Sequence, residues 1–198
     1  LRYYQLVETE QIREQHFLHT EPKTKDDSLQ RKIDHLDTYY IFTKLKYSCS
    51  VLNRNDVVNV QFESKMMDDL EVAIQQNPHA LAEPAISIYL GIYQLLKSKN
   101  PEEQLFQNTL QLLHKHGEDF EDGELRFAYH FMKKHCINMI NEGRQEFYQL
   151  FLDLSKQMFD SEIIFENGEL RNGVYKNLVT VACKLEHYEW ADWFAKEY

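Results

Sequence analysis

His114 and His116 stand just before Glu118, Asp119, Glu121 and Asp122, so nitrogen and oxygen metal ligands come close together in sequence. Residues at i and i+2 of a helix point to different sides. A histidine near a helix C-terminus also suits the negative end of the helix dipole, and that plainer reading is preferred. His16 and His19, at i and i+3, can share a helix face, but no third ligand stands beside them. Asp34, His35 and Asp37 form another set of acid/base groups, of a kind that surface helices carry by chance. Nowhere does a glutamate precede a histidine by three residues, so the Glu-x-x-His element of carboxylate-bridged di-iron bundles is missing. A His-Glu-x-x-His helix, a Gly-rich phosphate loop and a Gly-x-Ser-x-Gly elbow are missing too. The chain is therefore read as a non-enzyme, with no catalytic residues, no metal site and no cofactor.

A polar row offers better recognition chemistry. His130, Lys134 and Asn138 fall at i, i+4 and i+8 of one helical segment, opposite Leu125, Met132 and Cys136. Lys176, Thr180 and Lys184 repeat the spacing in a later segment, opposite Val174, Leu178 and Leu185. Lysines arranged this way can grip a carboxylate or an acidic peptide, although a solvated face explains the same pattern. The acids Glu118–Glu124, with Asp160, Glu162, Glu166 and Glu169 later, can form a rim for a basic segment. Acids at helix N-termini, where they meet free N–H groups and the dipole, account for them more simply.

The elements that carry these residues are helices. Gly and Pro number 6 and 4 in 198 residues, far below their usual share of about 12%, which predicts long helices with short connections. The formal net charge is −10. Residues 1–99 hold 12 basic and 14 acidic side chains, and residues 100–198 hold 10 and 18. An acidic body without a dense Lys/Arg stripe argues against nucleic acid as partner. Cys49, Cys136 and Cys183 are far apart and form no CxxC pair, so small buried thiols in a reducing, cytoplasmic setting are expected. No stretch approaches the roughly 18 apolar residues of a membrane span. The chain opens on Leu1 rather than Met, which leaves room for a segment upstream.

Helical patterns are expected at 1–19, 26–53, 57–76, 85–96, 101–116, 124–140, 145–159, 169–185 and 187–198: nine helices and no sheet. Leu29, Ile33, Leu36, Tyr40 and Leu45 recur near the helical period in the second of these, and Asn53-Arg-Asn-Asp56 interrupts it. The run 85–96 is apolar all round and belongs at the centre of the fold. One phrase occurs twice. Glu121-Asp-Gly-Glu-Leu-Arg126 returns as Glu166-Asn-Gly-Glu-Leu-Arg171, and each copy is expected to form the loop and first turn of a helix. Phe106 with Leu110, Phe147 with Phe151, and Trp190 with Phe194 share a spacing in the second helices of successive pairs. The pairs are read as 80–118, 122–160 and 167–198 of one domain, 1–198, with residues 1–79 as N-terminal helices.

Tyr175-x-x-Leu178, Ala182 and Tyr188-x-x-Ala191 together resemble the tetratricopeptide pattern of Trp/Tyr-x-x-Leu, a small residue, and Tyr-x-x-Ala. Glu186 stands where that family has a glycine, and the repeat starts lie 41 and 45 residues apart rather than about 34. The chain is also similar to uncharacterised bacterial proteins built from degenerate repeats of this kind. The resemblance implies an all-α stack of antiparallel helix hairpins, an α-solenoid, whose first helices line a concave groove. It further implies a non-catalytic scaffold that binds a protein or peptide. A structural spacer or segment of a larger assembly is the alternative, and a metal- or small-molecule-binding bundle a weaker one. Trp190, Trp193, Phe194 and Tyr198 crowd the last helix, which predicts that further helices or another subunit cover this end.

Overall fold

The computed structural model describes residue 5 and residues 28–58, 65–98 and 103–198. The helix expected at 1–19, with His16 and His19, lies outside them. Among the described residues the protein is all-helical, with nine α-helices and one isolated bridge, Glu166 to Glu169. The chain divides into two compact units, Leu1–Lys97 and Ser98–Tyr198. The division falls inside 80–118, the segment expected to form one helix pair.

In the first unit, α1 (Ser28–Val58), α2 (Met67–Gln76), α3 (Pro78–Ala82) and α4 (Pro84–Lys97) follow one another. Helix α1 runs on through Asn53–Asp56, where the sequence suggested a break, because asparagine and aspartate weaken a helix interior without stopping it. Asn77 separates α2 from α3. Its side-chain oxygen accepts from the backbone N–H of His79 (3.0 Å) and Ala80 (3.2 Å), and Pro78 takes the first helical position, where its missing N–H costs nothing. Helix α4, the run expected to be apolar all round, is largely buried within this unit, at Ile86, Ile88, Tyr89, Leu90, Gly91, Ile92, Tyr93 and Leu95. It lies along α1, where Phe42 meets Tyr89 edge-on at 5.4 Å. Lys97 closes its end by bonding Asp68 and Glu71 of α2, both at 2.9 Å.

The second unit contains α5 (Glu103–His116), a 3-10 turn (Gly117–Asp119), α6 (Asp122–Asn141), α7 (Phe147–Asp160), α8 (Asn172–Lys184) and α9 (Tyr188–Glu197). Helices α6 and α7 form one hairpin and α8 and α9 another. Both hairpins turn by the same device. Gly143 takes φ 93° after α6, and Glu186 takes φ 62° after α8. In each case the next N–H reaches back to a carbonyl five residues earlier, Arg144 to Met139 and His187 to Ala182. This is the left-handed helix stop that favours glycine, and at the second turn a glutamate fills it.

The repeated phrase does not repeat in structure. In the first copy Asp122-Gly-Glu-Leu-Arg126 is already the opening of α6, with Gly123 inside the helix. In the second, Asn167 (φ 55°) and Gly168 (φ 79°) form a tight turn whose flanking residues, Glu166 and Glu169, bond each other's backbone. Helix α8 starts only after Arg171. Asn-Gly is the dipeptide that such a turn selects, and Asn172-Gly173, poor helix residues, take only the first two positions of α8. Phe127-Ala128 continue the first copy as helix without difficulty.

One polar side chain sits deep in this unit. His135 of α6 is buried, between the rings of Phe106 of α5 (5.4 Å) and Phe147 of α7 (5.7 Å). Burial, and secondarily the Arg144 charge, pull its pKa from 6.5 to about 4. Above pH 6.5 the ring is neutral folded or unfolded. Between 6.5 and about 4 only the unfolded chain binds the proton, so stability falls as pH falls through that window.

Chemical denaturation across that range is expected to show this loss, at most about 3 kcal/mol for a shift of this size, and His135→Leu should flatten it. Gly123→Ala is expected to raise stability by a few tenths to 1 kcal/mol, whereas Gly168→Ala at positive φ should lower it by about 1 kcal/mol. Urea unfolding of the pair distinguishes the two settings of one phrase; equal responses would contradict the difference.

Candidate functional site

The two polar rows ride on α6 and α8. Met132 and Cys136 are buried beneath the first row and Leu178 beneath the second, while Leu125, Val174 and Leu185 are half-buried. His130 is exposed, Lys134 and Asn138 are half-buried, and Lys176, Thr180 and Lys184 are exposed. Periodicity thus placed the rows on the outward side of their helices. Amphipathic spacing carries that information directly.

The rows differ in what holds them. Lys184 does not stand free: its ammonium donates to the Tyr148 hydroxyl at 2.8 Å and lies 4.2 Å from that ring's centre. Tyr148 belongs to the first turn of α7, so the Lys184 end of the row is tied to the neighbouring helix. Two further lysines rest on rings in the same unit, Lys133 on Phe151 and Lys156 on Trp190, each at 4.9 Å. Burial lowers the Lys133 ammonium to about 8. Among the described residues no hydrogen bond or ion pair joins the α6 row to the α8 row.

One charge from the start of α8 still acts on the α6 row. The packing of the His130 ring lowers its pKa first, and the charges of Lys133, Lys134 and Arg171 add to the effect. Arg171, the residue just before α8, also pairs with Glu166 across the tight turn. Lys133, Lys134 and Arg171 thus act together on a neutral His130, and Arg171 does so while paired with Glu166. Arg171 was not among the residues singled out from spacing. It belongs to the repeated phrase, at the end of the second copy's tight turn. Its counterpart Arg126 does something else, donating to the Ile163 carbonyl at 2.7 Å.

The other chemistry-bearing residues are occupied locally. His114 hydrogen-bonds Gln157 of α7 at 2.7 Å, and His116 meets Asp119 at 3.3 Å. Asp34 accepts from Gln30 one turn earlier at 2.9 Å. Among the described residues no three His, Cys, Asp or Glu side chains converge as metal ligands, and no helix is long and apolar enough to cross a membrane. Cys49 and Cys136 are buried, their thiols pushed up by desolvation, Cys136 to about 12. Cys183 is exposed, contrary to the expectation that all three are buried, because it lies on the outward side of α8. At the last helix Phe194 is buried and Trp190 half-buried, whereas Trp193 and Tyr198 remain exposed. The acids of the first rim lie at the 3-10 turn and the first turn of α6.

No protein family matches this chain, and no curated protein or solved structure is similar to it.

An NMR titration should place the His130 midpoint below 6.5. Arg171→Met is expected to move that midpoint upward, and an unchanged midpoint would remove Arg171 from the charges acting on it.

Proposed function

We propose that this protein is a non-catalytic helical scaffold that binds an acidic peptide or protein segment along α6 and α8. The observation that carries the reading is the joint action of the Lys134 and Arg171 charges on a neutral His130, with Lys176 and Thr180 exposed on α8, in a unit whose net charge is strongly negative. Against an acidic background a local group of cations directs where a carboxylate-bearing segment docks. Asn138 and Thr180 supply neutral hydrogen-bonding groups, and Lys184, held by Tyr148, bounds the surface on one side. The tetratricopeptide-like pattern of α8 and α9 agrees with such a role, since helix pairs of that kind present rows of side chains to extended partners. A second reading, a segment of a larger assembly, is favoured by one observation, the apolar outer face of α1.

Fluorescence anisotropy with a labelled polyglutamate peptide tests the scaffold reading. Binding is expected to weaken with added salt. Lys134→Glu combined with Lys176→Glu should weaken it roughly tenfold or more, with the helical circular dichroism unchanged. Binding that ignores both salt and the paired substitution would overturn the assignment.

A further inference from the structure

Helix α1 is apolar on two opposite sides, and among the described residues of its unit only one is covered. Ile41, Phe42, Leu45, Ser48 and Cys49 are buried on the side facing α4. On the opposite side Leu29 (60%), Ile33 (51%), Leu36 (51%), Tyr40 (49%) and Tyr47 (65%) are exposed. The sequence pattern that grouped Leu45 with four of these residues joins two faces, because Leu45 is fully buried.

The exposed side has a particular period. Leu29, Ile33, Leu36, Tyr40, Thr43 and Tyr47 are separated by alternating steps of four and three residues. That is a period of 3.5, which keeps one seam of side chains against a second helix and not against a flat surface. Helix α1 spans 31 residues, about 46 Å at 1.5 Å per residue, and its other face is already anchored. Beside the seam lies an open groove of about 720 Å³, bounded on α1 by Leu36, Tyr40, Tyr47, Lys44 and Val51 and beyond it by Lys65. A knob from a facing helix needs such a hole.

Charge selects the occupant. Asp37 and Lys44 flank the seam on the same side, one heptad apart, and neither has an ion-pair partner among the described residues. Two copies laid antiparallel, with Leu36 opposite Tyr47 and Tyr40 opposite Thr43, bring Asp37 beside Lys44 of the second copy. Twofold symmetry then makes the same pair again with the roles exchanged. We infer that the exposed face of α1 is a self-association surface, and that its partner is α1 of a second copy of this chain in an antiparallel coiled coil. This surface lies in the first unit and does not depend on the peptide-binding reading of the second.

Sedimentation equilibrium of the full chain is expected to show a dimer. Asp37→Lys alone and Lys44→Asp alone should each weaken it by roughly tenfold or more, since both symmetric pairs turn repulsive. The double variant Asp37→Lys/Lys44→Asp should restore dimerisation. A mixture of the two single variants should also form a heterodimer, because every facing pair is then attractive. Both positions lie off the buried face, so circular dichroism should show unchanged helicity throughout. A monomer at all concentrations would overturn the inference and assign the face to another segment of this chain or to a different protein. A dimer indifferent to both charges, or one that the double variant fails to restore, would overturn it as well.

Discussion

The enclosure of α4 is the constraint on which the first unit depends. Eight of its 14 residues are buried, on several sides at once, and a fully buried large apolar side chain contributes about 1.5–3 kcal/mol. That gain is available only if neighbouring helices cover more than one face. Helix α1 supplies the longest cover, with Phe42 set edge-on against Tyr89 and the Cys49 thiol 3.7 Å from the Tyr89 carbonyl. Helices α2 and α3 lead the chain to the start of α4, and the Asn77 cap with Pro78 sets the turn between them. A helix used as a wall has an inside and an outside. The outside of α1 owes nothing to α4, so its seam of leucine, isoleucine and tyrosine needs a separate explanation.

In the second unit the equivalent constraint is a ring cluster that crosses three helices. Phe106, His135 and Phe147 meet pairwise within 5.4–6.0 Å and join α5, α6 and α7. A histidine can serve there because the neutral ring packs like an aromatic residue, at the cost of its ordinary basicity. Further along, Phe159, Trp190 and Phe194 continue the aromatic contacts between α7 and α9, with Trp190 stacked on Phe194 at 4.9 Å. Lysines lie over several of these rings. Cation–π contact lets a long side chain cover apolar surface while its charge stays near water. The same contact removes Lys133, Lys156 and Lys184 from the set of cations a partner can freely use.

Most of the helix order was legible from the sequence because its signals are local. Asn77-Pro78, the Gly117 stop, the Gly143 turn and the Glu186-His187 turn each act within a few residues of the boundary they set. What resisted reading depends on neighbours distant in sequence. Apolar spacing on α1 identified a helix but could not separate two faces, since both are apolar. The repeated phrase suggested one local structure, yet Asn167-Gly168 makes a turn where Asp122-Gly123 opens a helix. His135 looked like any polar residue, and only the arrival of α5 and α7 on either side buries it. The outward rows were found by spacing; the Tyr148 contact that restrains Lys184 and the Arg171 charge beside His130 were not, because both come from other elements.

The histidines show how this chain assigns its chemistry. His114 is held by Gln157, His116 meets Asp119, and His135 is enclosed by aromatic rings. Each has a structural partner at a helix end or a helix contact. His130 is different: it is exposed, its neighbours are cations, and its lowered pKa follows from packing and from charges that attract anions. A group kept neutral beside Lys134 and Arg171 can hydrogen-bond a carboxylate without adding to the local repulsion. Binding of an acidic segment would in turn raise its proton affinity, since the added negative charge favours the imidazolium. On the proposed reading, recognition of an acidic segment would be coupled to a proton at His130, and a pH-dependent affinity would be its signature.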